Sequence, residues 1–293
     1  MQNLSGELPP GRHSTSHVER TLGGEGFGAK LRRVANDLHA WALQLDLVRA
    51  RSLNDQVAMV DDLLEIGRLR GENQRWDYAE AKLMEARSRA HETGYQYGEA
   101  HANVQLGAVH LGKGQLDLAR QAFELALPVL RESNDRLILV DALLKVGVAY
   151  NKLGKTNEAA AAWKEVLSLS LKTGDRRRRS LALMNLGGVA YDQRKYSEAD
   201  QYWREAHDLF KQLRDWPHLA YVCFFMGVVS RHFGRLNEAI AFMIEGRDLY
   251  KRLNDHQHFA QAEEYLAHLE EESEPSSRST FKNVGSRKPR FPR

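Results

Sequence analysis

The sequence predicts an all-α protein that is built from a repeated pair of helices. Glycines that directly follow an apolar residue recur every 40 residues, at Gly67, Gly107, Gly147, Gly187 and Gly227. Alanines recur at the same spacing, at Ala79, Ala119, Ala159, Ala199 and Ala239. Only 7 of the 293 residues are proline, which favours long helices because proline interrupts the helical hydrogen-bond ladder. Columns that keep one period along a chain are typical of a helical repeat array.

Each 40-residue unit has the pattern of two amphipathic helices. In the first unit, helices are predicted from about residue 56 to 69 and from about 76 to 91. Gly114 and Gly154 occur where a short turn would join the two helices of a unit. Asp135 and Asp175 occur in turns between units, where a carboxylate caps the free N–H groups of the next helix.

A bulky residue follows each alanine of the second column by four positions. This third column consists of Leu83, Phe123, Trp163, Trp203 and Met243. Two helices approach each other closely only where their side chains are small. We therefore expect the bulky column to pack into the space that the glycine column leaves.

One further helix is predicted at each end of the five full repeats. Residues 30–52 resemble the second helix of a unit, and residues 256–272 resemble a first helix. The apolar residues of the N-terminal helix are Val34, Leu38, Trp41, Leu45 and Val48. Because a repeat buries its apolar face only against a neighbour, repeat arrays need such caps. We expect a repeat domain over residues 30–273, with disordered tails at 1–29 and 274–293 that lack any periodicity.

The third unit carries the clearest pattern, which comprises Leu143, Val146, Gly147, Tyr150, Gly154, Ala159 and Trp163. This pattern resembles the tetratricopeptide (TPR) repeat. The 40-residue period is similar to that of the long-repeat subgroup of kinesin light chains, Pins-type adaptors and Rap or MalT-like sensors. The other units lack the usual tyrosine, and the usual proline at the end of the second helix is absent. The resemblance implies a right-handed α-solenoid of TPR-like helical hairpins.

The sequence contains no pattern that is typical of a catalytic or metal site. It has no phosphate-binding glycine loop, no G-x-S-x-G, no HExxH and no CxxC. The single cysteine, Cys223, lies in an apolar column and is interpreted as a buried packing thiol. We expect no enzymatic activity, no cofactor and no metal. The lack of an apolar signal-peptide core predicts a cytoplasmic protein.

The resemblance also implies where a partner binds, because TPR-like solenoids present the first helix of every unit to a concave groove. The candidate partner-binding residues are Lys145, Asn151, Asn185, Tyr191, Tyr221, Phe225 and Arg231. Asn185 is similar to the asparagine with which long-repeat adaptors pair the backbone of a bound peptide, since an amide both donates and accepts. Phe224 is expected to pack against the neighbouring helix instead.

Two segments are strongly basic. Arg176, Arg177, Arg178 and Arg179 begin a helix, where cations oppose the helix dipole. Their partners are expected to be acidic side chains of an adjacent repeat, an external acidic ligand or solvent. Residues 275–293 contain six basic residues and no acidic one. Nucleic acid or an anionic surface is predicted as a partner only through this tail, which alternatively folds back on residues 270–272 or serves as a solubilising extension.

These observations favour a non-catalytic adaptor or scaffold that holds a peptide or helix of a partner protein in the concave groove. The alternative is a regulatory sensor of the Rap or MalT-like type. Such a sensor binds a peptide or effector and acts on a separate output protein.

Overall fold

The computed structural model describes residues 27–133 and 135–273 of the chain. In these ranges the protein forms twelve α-helices and no β-strand. The helices are α1 (Phe27–Ser52), α2 (Gln56–Glu72), α3 (Trp76–Glu92), α4 (Gln96–Gly112), α5 (Leu116–Glu132), α6 (Arg136–Lys152), α7 (Thr156–Thr173), α8 (Arg176–Asp192), α9 (Tyr196–Leu213), α10 (Trp216–His232), α11 (Leu236–Arg252) and α12 (His256–Ser273).

The chain divides into two compact units, one spanning residues 24–174 and the other including residues 175–293. In the first unit, α1 packs on α2, and the hairpins α2–α3, α4–α5 and α6–α7 follow. In the second unit, the hairpins α8–α9 and α10–α11 are followed by α12. Five hairpins with one further helix before and after them agree with the sequence prediction. The basic segment 275–293 and most of the predicted N-terminal tail lie outside the described residues.

The turns of the hairpins use the residues that the repeat pattern singles out. Gly114 adopts a φ of 76° and Gly154 a φ of 75°. Glycine adopts this left-handed conformation readily because it has no Cβ. At the start of α6, the Asp135 carboxylate accepts the backbone N–H of Leu137 at 3.0 Å and that of Ile138 at 3.1 Å. At these turns and at this cap, local sequence sets where the next helix begins.

The glycine and bulky columns meet inside each hairpin as predicted. A Cβ on Gly147 would lie 2.6 Å from Trp163 Cε2, and one on Gly187 would lie 2.5 Å from Trp203 Cδ1. Both indole rings are buried. The Trp203 indole N–H also donates to the backbone carbonyl of Met184 at 3.1 Å. The hairpins close tightly because the glycine column has no side chains to keep the two helices apart.

Helix α1 packs differently from the expected cap. Its buried residues are Ala40, Leu47 and Ala50, whereas the apolar series that includes Val34 and Trp41 is exposed. Polar contacts add to its packing on the first hairpin, including a hydrogen bond from the Gln44 amide to the Tyr78 hydroxyl at 3.0 Å. Apart from Leu47, the buried residues of α1 are therefore small, and most of its large apolar residues face away from the hairpin.

No helix among the described residues is both long enough and apolar enough to cross a membrane.

Candidate functional site

The first helices of the 175–273 unit, together with Trp203 on α9, carry a connected aromatic cluster. We define this aromatic cluster as Tyr191, Trp203, Tyr221, Phe224, Phe225 and Tyr265. The ring centroids of Tyr221 and Phe225 lie 4.7 Å apart, and those of Tyr191 and Phe225 lie 5.9 Å apart. Phe224 and Tyr265 extend the cluster to α12 with a separation of 6.0 Å. These separations are within the range of favourable aromatic contacts.

The rings differ in how much surface they offer to a partner. Phe225 is 5% exposed and packs 5.3 Å from the Trp203 ring. Tyr191, Tyr221 and Phe224 are half-buried. The sequence analysis selected Phe225 as a contact and expected Phe224 to pack inside, but the structure places Phe225 deeper. Phe225 therefore packs in the interior of the aromatic cluster, and the half-buried rings form the accessible surface of the cluster.

Arg231, another predicted contact, forms interactions within the chain. Its Nε donates to Glu272 Oε2 at 3.0 Å, and a second guanidinium nitrogen forms an ion pair with the same carboxylate. The guanidinium carbon lies 5.5 Å from the centroid of the Tyr265 ring. Hydrogen bonding to Glu272 raises the pKa of Arg231. Arg231 thus fixes Tyr265 and the end of α12 beside the aromatic cluster.

Asn185 and Asp192 supply polar groups on α8, the same helix as Tyr191. The Asn185 side chain is half-buried and makes no hydrogen bond to another described residue. Desolvation raises the pKa of the Asp192 carboxyl to about 6. The charge of Asp192 also contributes to raising the pKa values of Tyr191 and Tyr221, after burial as the main cause. An amide and a carboxylate therefore accompany the aromatic rings.

In the 27–174 unit, Lys145 is exposed on α6 and Asn151 is half-buried near the end of that helix. Polar groups on neighbouring first helices were not selected from the sequence. The Tyr97 hydroxyl donates to Asp135 Oδ2 at 2.6 Å. Burial lowers the pKa of His101, and the positive charge of Lys145 contributes to this effect. The sequence signal that could have identified these polar groups is their position within the repeat, because their spacing places Tyr97 and His101 on one side of α4.

The four arginines at the start of α8 are largely paired within the chain. Arg178 forms an ion pair with the Asp175 carboxylate at 2.7 Å, and Arg179 forms one with Glu205 on α9. Arg177 lies 3.9 Å from Asp215. Arg176 is exposed and forms no ion pair with a described residue. Of the alternatives that the sequence left open, acidic side chains of the chain itself account for three of the four arginines.

Comparison with known proteins identifies the repeat. The family model described as tetratricopeptide repeat matches residues 98–172, and a second model of the same description matches residues 180–213. Residues 98–172 and 180–213 carry tetratricopeptide repeats. The TPR hairpins account for the glycine, alanine and bulky columns. The matched models describe a structural repeat and not a catalytic domain.

Solved structures share the fold of these TPR hairpins. BtubC (BKLC) from P. vanneervenii is 19% identical, with a TM-score of 0.64, over 75% of this chain and 92% of that chain. The apo form of RapI is 16% identical, with a TM-score of 0.65, over 76% of this chain and 80% of that chain. The quorum sensor NprR from B. thuringiensis is 17% identical, with a TM-score of 0.61, over 91% of this chain and 77% of that chain. No curated protein sequence gives a significant match.

These similarities confirm the predicted fold class, an all-α solenoid of TPR-like hairpins. At such low identities these structures establish only the fold of this chain. Its partner has to be inferred from its own residues.

Proposed function

We propose that this TPR protein is a non-catalytic adaptor that binds a peptide segment of a partner protein on the first helices of its 175–273 unit. The observation that supports this proposal is the half-buried surface of Tyr191, Tyr221 and Phe224, with the Asn185 amide on the same set of helices. Aromatic rings present a large contact area and lose little conformational freedom on binding. A side-chain amide both donates to and accepts from a peptide backbone.

The side chains of this aromatic surface indicate which kind of peptide would bind. Apolar side chains are expected to pack against the rings, and a basic residue is expected near Asp192. Arg231 acts by holding Tyr265, since its guanidinium is already paired with Glu272. Lys145 and Asn151 remain predicted partner contacts on α6. A cytoplasmic location is part of the same proposal.

The second candidate is a sensor of short peptides that acts on a separate output protein. A similar structure supports it: the Rap regulator of plasmid pLS20, solved in complex with the Phr* peptide. That chain is 19% identical with a TM-score of 0.55, over 78% of this chain and 63% of its own length. In this candidate the aromatic surface takes a free peptide, and binding changes the arrangement of the repeats.

The test begins with selection of linear peptides from a displayed random library on the full chain. Binding of the selected peptides is then measured by fluorescence polarisation. We expect Tyr221→Ala to weaken binding by about 10-fold or more, as for a central aromatic contact. Tyr202→Ala on α9, a second helix, serves as the matched control and should bind as the native chain does. Equal binding by Tyr221→Ala with unchanged circular dichroism would refute the assignment.

Small-angle scattering of the chain with a selected peptide separates the two candidates. An adaptor is expected to keep its scattering profile, whereas a sensor is expected to change its radius of gyration on binding.

A further inference from the structure

Three potential metal ligands converge between consecutive hairpins of the 175–273 unit. They are His207 on α9, Cys223 on α10 and Glu245 on α11. The ligand atoms, an imidazole nitrogen, the thiol sulfur and a carboxylate oxygen, all lie within 4.8 Å of one another. His207 and Cys223 are buried, and Glu245 is half-buried. The cluster therefore has two enclosed ligands and one side that is open to solvent.

Neighbouring groups orient the ligands. His207 Nδ1 lies 3.1 Å from the Asp208 carboxylate, while His207 Nε2 lies 3.2 Å from Glu245 Oε2. A histidine whose Nδ1–H donates to a carboxylate presents its Nε2 lone pair, which is the usual arrangement of a metal-binding histidine. The Lys211 ammonium donates to Glu245 Oε1 at 3.0 Å and leaves Oε2 directed toward the histidine.

The packing of the repeat does not account for the histidine and the cysteine. At the position of Cys223 the other units have Leu63, Asn103, Leu143 and Leu183. At the position of His207 they have Arg87, Leu127, Leu167 and Arg247. Leucine therefore serves the core at both positions, and only this pair of hairpins combines a thiol with an imidazole.

We propose that His207, Cys223 and Glu245 bind a Zn²⁺ ion. The mixed nitrogen, sulfur and oxygen donors suit zinc, whereas Mg²⁺ and Ca²⁺ prefer oxygen alone. On binding, the thiol releases its proton to solvent and the thiolate ligates the metal. Water at the open side completes the four-coordinate shell. The ion would join three helices of two adjacent hairpins and stabilise their packing.

Cobalt spectroscopy on the metal-free full chain tests the site, because a thiolate ligand gives Co²⁺ an intense charge-transfer band in the near ultraviolet. We expect one Co²⁺ per chain with this band, its loss on addition of Zn²⁺, and a higher Tm with Zn²⁺. Cys223→Leu and His207→Leu restore residues that other units carry, so they should fold while metal affinity falls by about 100-fold or more. His256→Gln is the control and should bind normally. The absence of the band in the native chain, or equal binding by Cys223→Leu, would overturn the proposal.

A separate observation concerns α1. Its exposed apolar residues define an α1 stripe that consists of Leu31, Val34, Leu38, Trp41, Leu45 and Val48. Their exposed fractions lie between 54% and 63%, and their spacing alternates between three and four residues. This is the a and d pattern of helices that pack along a common seam. The stripe lies on the side of α1 away from Ala40 and Leu47, which pack on the first hairpin.

We infer that the α1 stripe pairs in antiparallel orientation with the α1 stripe of a second copy of this chain. In this orientation, Leu31 faces Val48 of the second copy, and Leu38 faces Trp41 of the second copy. A positions then meet d positions along the whole seam.

The size of the stripe is sufficient for a specific dimer. It extends over about 27 Å of helix. Covering it in both copies would bury on the order of 1,200 Å² in total, the lower end of the range for stable interfaces. Exposed apolar surfaces of this kind mark interaction sites.

Analytical ultracentrifugation of the full chain over a range of concentrations tests the pairing. We expect a reversible dimer, and Leu38→Glu should raise its Kd by at least about 100-fold. Trp41→Glu should weaken the dimer to a similar extent, because Trp41 faces Leu38 of the second copy. Leu125→Glu, an exposed leucine on α5, is the matched control and should leave the dimer unchanged. A native chain that stays monomeric at high micromolar concentration would overturn the inference. Binding of a hydrophobic dye to the chain with and without residues 1–26 is a second test. If the dye binds the α1 stripe only after residues 1–26 are removed, that segment covers the stripe, and the inference is also overturned.

Discussion

Two adjacent glycines of α8 provide a sharp test of how the hairpins pack. A Cβ on Gly187 would lie 2.5 Å from Trp203 Cδ1, whereas a Cβ on Gly188 would have no heavy atom within 4 Å. Both substitutions by alanine make the same chemical change on the same helix. They differ only in what the new methyl group meets.

The expected magnitudes follow from this difference. Gly188→Ala should raise the free energy of unfolding by up to about 1 kcal/mol, because alanine is the better helix former. Gly187→Ala gains the same amount, but overpacking against a buried indole costs about 1–3 kcal/mol. Displacement of the ring also breaks the Trp203 hydrogen bond to Met184, for about 1 kcal/mol more. The net loss for Gly187→Ala is about 1–3 kcal/mol.

Urea denaturation followed by far-ultraviolet circular dichroism measures both effects. The two variants should differ by about 2–4 kcal/mol, with the native chain between them. Equal midpoints for Gly187→Ala and Gly188→Ala would refute the close approach of α8 and α9 that the repeat requires.

Three further predictions concern Asp135 and Cys223. Asp135→Ala should lower the free energy of unfolding by about 1 kcal/mol, because α6 loses the cap of two N–H groups. Burial opposes the ionised form of Asp135, but hydrogen bonds from Tyr97 and the backbone outweigh it and lower its pKa below 3.8. This contribution to stability should be complete above about pH 4 and disappear as the pH falls through the lowered pKa, and Asp135→Asn should show a smaller loss in acid. Cys223 is 0% exposed, so a thiol reagent should modify it only at the rate of unfolding, and rapid labelling of the metal-free native chain would contradict its position.

The repeat pattern predicted the hairpins, their turns and their caps because each depends on residues that are close in sequence. Asp135 caps a helix that starts at the next residue. Trp203 packs on Gly187 within one hairpin, and the same spacing recurs in every unit. Local geometry with a constant period therefore determines these features without knowledge of the assembled structure.

Burial within the aromatic cluster was less predictable. Phe224 and Phe225 are neighbours in sequence, so a small rotation of α10 exchanges their roles, and the sequence analysis assigned the deeper position to the wrong ring. The ion-pair partner of Arg179 was equally hard to predict from the sequence. Glu205 lies on the following helix, and the relative rotation of the two helices decides whether the side chains meet.

The sequence of residues 30–273 by itself determined the all-α class, the repeat period, the hairpin and its close glycine contact. These features follow from side-chain size and helical spacing. Only the tertiary structure decided which face of α1 is buried, and that His207, Cys223 and Glu245 meet. The physical reason is that both depend on how separate helices rotate and align against each other. No spacing within a single helix records that alignment.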